Sequence, residues 1–377
     1  MTDLQEGIES LADLLARDLD YIVDQLVDDF TAMAGKRLLI TGGAGFLGYY
    51  LVQSVLHWND RVVEDQRIDT TVFDNYVRGV PPWLDELGRR SDLTMVRHDV
   101  RQPLPDPMPD FEFIVHAAGI ASPTYYRAHP LETMDANIDG LRMLLEYARD
   151  RVERGLEFGG FIFYSSSEIY GDPATDRIPT SEDYRGNVSC TGPRACYDES
   201  KRYGETLCSV FAQHYDVPVR MVRPFNNYGP GLKISDRRVI PDFARDVFSG
   251  RDIVMLSDGS PKRTFCYVAD AVVGYYRALV RGRAGEPYNI GIDRPEISMA
   301  DLGRRLAATA HALFGYTGTV VTGESTEADY LVDNPNRRCP DMTKSRTELG
   351  YEPSILVDEG LRRTLVWYHY HRHAEDA

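Results

Sequence analysis

The chain predicts an α/β fold: a doubly wound parallel sheet, a smaller mixed α/β domain and an N-terminal helical extension. Three observations predict it. From Gly35 onward, short β-branched and aliphatic runs alternate with helical patterns, and most intervals are long enough for the crossovers that parallel strands require. A glycine turn, Gly42 to Gly48, joins the first of these runs to a helical stretch. After Arg223 the alternation gives way to Pro/Gly punctuation at Pro224, Gly229-Pro230-Gly231, Pro241 and Asp258-Gly259.

In chain order, the first element is helical. Ile8, Leu11, Leu15, Leu19, Ile22, Leu26 and Phe30 recur at steps of three and four, with Glu9, Asp13, Asp18, Asp20, Asp24 and Asp28 filling much of the rest. Such a helix, within residues 1–34, is expected to pack on the body or on a neighbouring subunit rather than to act as a partner-binding arm. Strands are expected at 37–41, 70–74, 93–97, 113–117, 160–165 and 217–223, within a nucleotide-binding domain of residues 35–224. Residues 225–377 form mainly the second, substrate domain, with the chain returning to the first around 266–291.

Composition narrows the function. With 43% hydrophobic and 27% charged residues, the chain reads as an ordinary soluble globular protein. A net charge of -16 argues against general nucleic-acid binding or attraction to anionic membranes. Cys190, Cys196, Cys208, Cys266 and Cys339 are odd in number and contain no Cys-x-x-Cys pair, so reduced thiols and a cytoplasmic location are expected. No apolar run is long enough to span a bilayer, and no basic segment followed by an apolar core marks a secretory signal. The nine histidines make no ligand spacing with the acids, so no metal is expected.

The glycine turn carries the first functional signal. Lys36–Thr41 runs into Gly42-x-x-Gly45-x-x-Gly48, and a helical stretch follows. Glycines allow a tight turn and close backbone approach to a pyrophosphate, while the helix N-terminus offers free N–H groups and its positive dipole end. Asp74 ends the next strand, where a carboxylate accepts adenosine ribose hydroxyls and repels a 2′-phosphate. The site therefore reads as a Rossmann-like NAD site, with NAD favoured over NADP although Arg78 lies close by. Phe46, Leu47, Asn75, Asp99 and Val100 are the further expected cofactor contacts.

The second signal is Tyr197-x-x-x-Lys201, preceded by Ser165-Ser166-Ser167-Glu168. Four residues apart on a helix, the phenol and the ammonium share one face. A free phenol has a pKa of about 10, too high for a base at neutral pH, and a nearby ammonium together with a positive nicotinamide would lower it. Tyr197 can then take a proton from a sugar hydroxyl while NAD takes the hydride, with Ser166 bonding the same oxygen.

With these residues the chain resembles the extended short-chain dehydrogenase/reductases, the NAD-dependent epimerase/dehydratase family of nucleotide-sugar enzymes. The resemblance covers Gly35 to about His371. It includes Arg223-Pro224-Phe225-Asn226-Asn227-Tyr228-Gly229-Pro230, Tyr288-Asn289-Ile290-Gly291, Arg338-Cys339-Pro340-Asp341 and Leu349-Gly350-Tyr351-Glu352-Pro353. Glu168, the Ala121-Ser122-Pro123-Thr124-Tyr125-Tyr126 stretch and Cys196-Tyr197-Asp198-Glu199 look most like the UDP-glucuronate decarboxylase branch. That resemblance implies catalysis by Ser166, Glu168, Tyr197 and Lys201, and substrate contacts from Ser122, Tyr125, Asn226, Arg263 and Arg338. It also implies oxidation at C4, loss of carbon dioxide from a β-keto acid and re-reduction to UDP-xylose, in a homodimer with a nucleotide-sugar substrate.

A 4-epimerase or a 4,6-dehydratase acting on another UDP-, GDP- or TDP-linked sugar is the alternative, and a non-catalytic NAD-binding sensor is a third reading. Three features depart from the branch pattern: Gly231-Leu232 where a basic step is usual, Ser166 in place of threonine, and a longer, more polar segment at 187–194.

Overall fold

The computed structural model describes residues 8–324, 332 and 335–372; the outer ends of the expected first and last segments, 1–7 and 373–377, lie outside it. Its strands in chain order are β1 (Arg37–Thr41), β2 (Asp69–Asp74), β3 (Leu93–Arg97), β4 (Phe113–His116), β5 (Gly160–Tyr164), β6 (Val219–Pro224) and β7 (Asn227–Tyr228). They continue as β8 (Ile253–Met255), β9 (Lys262–Arg263), β10 (Cys266–Tyr267), β11 (Pro287–Ile290), β12 (Ile297–Ser298), β13 (Val320–Thr322) and β14 (Arg337–Arg338).

Seven of these form one sheet in the order β11-β6-β5-β4-β1-β2-β3, every neighbouring pair parallel. Helices cover both faces, which is why β4 and β5 read as unbroken apolar runs and are buried throughout. The strands fall within two residues of their expected bounds, and β11 returns the chain to this sheet late. Because the strand order reverses between β1 and β4, the loops leaving their C-terminal ends diverge and open a crevice.

The remaining strands are short. β7 pairs with β10 and β8 with β13, while β9 lies between β12 and β14. The β9–β14 pair sets Arg263 directly beside Arg338.

The N-terminal segment differs from the single helix its periodicity predicts. It forms two, Leu11–Gln25 and Val27–Met33, broken at Leu26. The break re-aims the second helix so that Phe30 meets Trp58 and Tyr276, and Asp29 pairs with Arg281. The first helix packs on the body through a buried carboxylate. Asp18 accepts hydrogen bonds from Tyr50 at 2.7 Å and Tyr267 at 2.5 Å and pairs with Arg363 at 2.5 Å. It thus ties the helix after β1, strand β10 and the last helix, Val357–His371, to one atom group.

Candidate active site

At the mouth of the crevice, Gly42 has φ +74°, and a Cβ on it would lie 2.7 Å from the Ala118 backbone. A Cβ on Gly48 would lie 2.1 Å from the Gly43 carbonyl oxygen. Gly45 is the N-cap of the helix Phe46–Asn59 and has no side chain to occupy the first N–H groups, which stay available to an anion. Asp74 accepts from the Ala44 N–H at 3.0 Å and the Tyr76 N–H at 2.8 Å, and burial raises its pKa. Asp99 is held by Arg101 and Asn75, the Arg101 hydrogen bonds keeping its carboxyl well below the usual range.

From this turn a cavity of about 1000 Å³ runs across the end of the sheet. It is lined by Gly42, Gly45, Phe46, Leu47, Asp74, Asn75, Asp99 and Val100 at one end and by Ser166, Glu168, Tyr197 and Lys201 further along. Ser122, Tyr125, Asn226, Arg263 and Arg338 line it too, so every site residue expected from the sequence faces one space except Gly48, which lies beneath the turn. A smaller cavity of about 170 Å³ adjoins it, sharing Asn226, Val239, Arg263 and Phe265.

Tyr197 and Lys201 share a face of the helix Ala195–Tyr215, and Ser166 caps the turn after β5, accepting from the Glu168 N–H at 3.1 Å. The Tyr197 phenol and the Ser166 hydroxyl are hydrogen-bond partners. The expectation that a neighbouring ammonium lowers the phenol's pKa is not met by the chain itself: burial pushes it up to about 12. The Lys201 ammonium donates instead to the Tyr164 carbonyl at 2.8 Å, and burial pushes it down to about 7. Desolvation is the largest cause for both groups.

Glu168 sits two residues beyond Ser166 with its side chain 21% exposed. Arg338 grips it bidentately, one arm at 2.7 Å, and Arg194 donates to the same oxygen. Burial alone would raise this carboxyl, but the two guanidiniums hold it far below the usual range. Arg263, beside Arg338, donates to the Lys262 and Pro335 carbonyls, and burial plus its arginine neighbours lower it to about 9. Among the expected substrate contacts, Ser122 donates to the Asp236 carbonyl at 2.7 Å and Asn226 to the Thr264 carbonyl at 2.9 Å. Arg78 lies 5.6 Å over the half-exposed Tyr125 ring.

A family model, described as NAD dependent epimerase/dehydratase family, matches residues 38–291.

The chain belongs to that family.

Among its relatives, UDP-glucuronic acid decarboxylase 5 of Arabidopsis thaliana is 35% identical over 328 residues, covering 87% of this chain and 88% of the relative. UDP-glucuronic acid decarboxylase 1 of Xenopus tropicalis is 34% identical, over 88% of this chain and 72% of its own. Among solved structures, the dTDP-glucose 4,6-dehydratase DesIV of Streptomyces venezuelae, with NAD bound, superposes with a TM-score of 0.75 at 26% identity, covering 90% of this chain and 98% of that one. The family's cofactor is NAD, and the groove fits it: glycines where a Cβ would collide, an uncapped helix N-terminus and a carboxylate at the end of β2.

Three residues that sequence spacing did not single out join this family member's site. Tyr126 stacks on Tyr197. Arg194 precedes Tyr197 by three residues and reaches Glu168. Asn137 lies in a π turn at Ala136–Gly140, donates to the Ser200 hydroxyl at 2.9 Å and keeps its carbonyl oxygen buried without a partner among the described residues. Arg194 had a local signal as the last residue of the unusually polar 187–194 segment, and Tyr126 one as the end of the Ala121–Tyr126 stretch; Asn137 had none. Among the described residues, no group of three His, Cys, Asp or Glu side chains could hold a metal, and no helix is long and apolar enough to cross a membrane.

Proposed function

We propose that the protein converts UDP-glucuronate to UDP-xylose and carbon dioxide through a 4-keto sugar. The observation that carries this reading is Glu168, held by Arg194 and Arg338 two residues beyond Ser166 in the cavity of Tyr197 and Lys201. The decarboxylase relatives that span most of the chain support it.

In this reading the glycine turn of Gly42, Gly45 and Gly48, with Phe46, Leu47, Asp74, Asn75, Asp99 and Val100, holds the adenosine diphosphate end of NAD, and Tyr197 and Lys201 face its other end. When bound, NAD supplies the hydride acceptor that opens the cycle and the hydride donor that closes it. Tyr197 takes the proton of the C4 hydroxyl while Ser166 bonds the same oxygen. The ketone then lies β to the sugar carboxylate, so the C5–C6 bond breaks, carbon dioxide leaves and the bonding electrons enter an enolate. Ser166 and Tyr197 stabilise that oxygen by hydrogen bonding. A solvent proton, admitted beside Glu168, adds to C5 and restores the ketone, and Tyr197 returns its proton to the C4 oxygen as the hydride comes back to C4. Ser122, Tyr125, Asn226, Arg263 and Arg338 are the proposed contacts to the nucleotide-sugar, Arg suiting a diphosphate or carboxylate because its planar fork donates bidentately.

We further propose a homodimer paired through the helices Leu141–Glu153 and Ala195–Tyr215, supported by the exposed Tyr203 and Val210 on the second of these. Light scattering of the purified protein tests it. The five free cysteines support a cytoplasmic location.

The deciding experiment mixes the purified protein with UDP-glucuronate and NAD and follows carbon dioxide release and the nucleotide-sugar by NMR. UDP-xylose with stoichiometric carbon dioxide is the expected result. Inversion at C4 without carbon dioxide would move the assignment to an epimerase, and a 4-keto-6-deoxy product from a neutral hexose to a dehydratase. Tyr197→Phe is expected to abolish turnover; a cellular role untouched by it would point to a sensor.

A further inference from the structure

Three guanidiniums, Arg194, Arg263 and Arg338, meet around Glu168; among the described residues the further carboxylates in reach are Asp198, 3.9 Å from Arg194 Nε, and Asp172, within electrostatic reach of Arg263. Arg194 thus shares its main carboxylate, Glu168, with Arg338. Hydrogen bonding is incomplete in the same place. Among the described residues, Arg194 Nε and Arg338 Nε are buried with no hydrogen-bond acceptor, and so is the hydroxyl of Tyr126, which is 1% exposed and lies within electrostatic reach of Arg194 and Glu168. Buried donors without acceptors are costly, and each is a place where a further acceptor would be welcome. Arg194 lines the cavity and stands three residues before Tyr197, so an acceptor on its guanidinium lies beside the phenol that works on the sugar.

We propose that Arg194 is the specificity-determining residue for a sugar carboxylate, and that Glu168 and the C6 carboxylate of a bound uronate compete for its guanidinium. This rests on the reading of the cleft as a nucleotide-uronate site. The exchange swaps one carboxylate for another on Arg194, needs no proton and leaves Glu168 held by Arg338 alone. A neutral hexose brings no charge to make the exchange, so Glu168 stays on both arginines. Arg194 is the N-cap of the helix that carries Tyr197 and lies within electrostatic reach of Tyr126, the ring stacked on Tyr197, so it suits the reacting sugar better than the diphosphate.

The test is the ratio of Kd values for UDP-glucose and UDP-glucuronate, measured by calorimetry on the NAD-loaded protein, with UDP alone as the control. Wild type is expected to prefer the uronate, and Arg194→Gln to lose about ten- to hundredfold of that preference, the worth of a charge-assisted hydrogen bond, while UDP binds unchanged. An unchanged ratio, or an equal loss for all three ligands, would overturn the proposal. Should Arg194→Gln not fold, Glu168→Gln removes the competitor and leaves the arginine. A preference for the uronate that is kept or raised supports the exchange, and its collapse overturns it. Carbon dioxide is read separately: a wild type that prefers the uronate and releases none keeps this inference and loses the decarboxylase reading.

Discussion

Tyr126 lies almost parallel to Tyr197, with ring centroids 4.9 Å apart and planes 12° from parallel. The two come from different helices, Pro123–Ala128 and Ala195–Tyr215, so the stack sets the phenol's orientation from outside its own helix. Contacts of this kind add about 0.5–1.5 kcal/mol beyond burial, enough to select one ring position. Tyr126→Leu is expected to lower kcat about ten- to hundredfold with little change in KM, because small misplacements at a reacting group are costly. Tyr126→Phe keeps the ring and should recover most of the rate. Steady-state kinetics at saturating NAD reads both, and an equal loss in the two variants would assign the effect to the hydroxyl.

Lys201 gives a pH dependence with a definite sign. Burial pushes its pKa down from 10.5 to about 7 in the folded chain. Between those values the unfolded chain holds the proton that the folded chain releases, so this group makes stability rise with pH across that window. Below pH 7 both states are protonated and the cost of the buried charge is fully present. Lys201→Met removes the term. Relative to wild type, the variant should be more stable at pH 6 than at pH 9, read by urea unfolding of both proteins without NAD. A constant difference across that range would refute the depressed value.

Gly48→Ala should separate folding from cofactor binding. The added Cβ would sit 2.1 Å from the Gly43 carbonyl oxygen, so the turn must open. A ligand that binds only the folded state raises its melting temperature. The shift produced by NAD in wild type is expected to vanish in the variant, while a variant stabilised as much as wild type would show that the turn tolerates a side chain.

Asp18→Ala removes a fully buried carboxylate, leaving Tyr50 and Tyr267 without their common acceptor and Arg363 with Glu359 alone. The loss is expected to be about 2–3 kcal/mol, mainly from buried donors left unsatisfied. Denaturant midpoints measure it. Asp20→Ala on the same helix, whose carboxylate is half exposed, serves as the control and should cost less than about 1 kcal/mol.

The large sheet was legible because its central strands are buried on both faces and appear as short apolar runs between longer helical patterns. The glycine turn was legible for a related reason: two positions where no Cβ fits and a third where it would be tight leave a mark in sequence. Ser166, Glu168, Tyr197 and Lys201 could be named from local spacing, and the fold brings them into one cavity. What stood between them could not. Tyr126 reaches Tyr197 and Asn137 reaches Ser200 only through helix packing, which leaves no periodicity to read. The two-residue strands β9 and β14 are too short for alternation to register. Lys201 alone does not lower the phenol, because spacing along a helix says nothing of burial, which raises Tyr197 and lowers Lys201 in the chain itself.

The pairing of β9 with β14 works as a spacer for charge. Arg263 and Arg338 are far apart in sequence yet sit opposite one another in a parallel pair, on the same side of its pleat. A slip of one residue in that pairing would turn one guanidinium away from the anion it faces with the other. Both arginines would still be present in the sequence, and the pair would be gone. Whether a related chain keeps this pair is therefore read from the alignment of these two dipeptides rather than from its count of arginines.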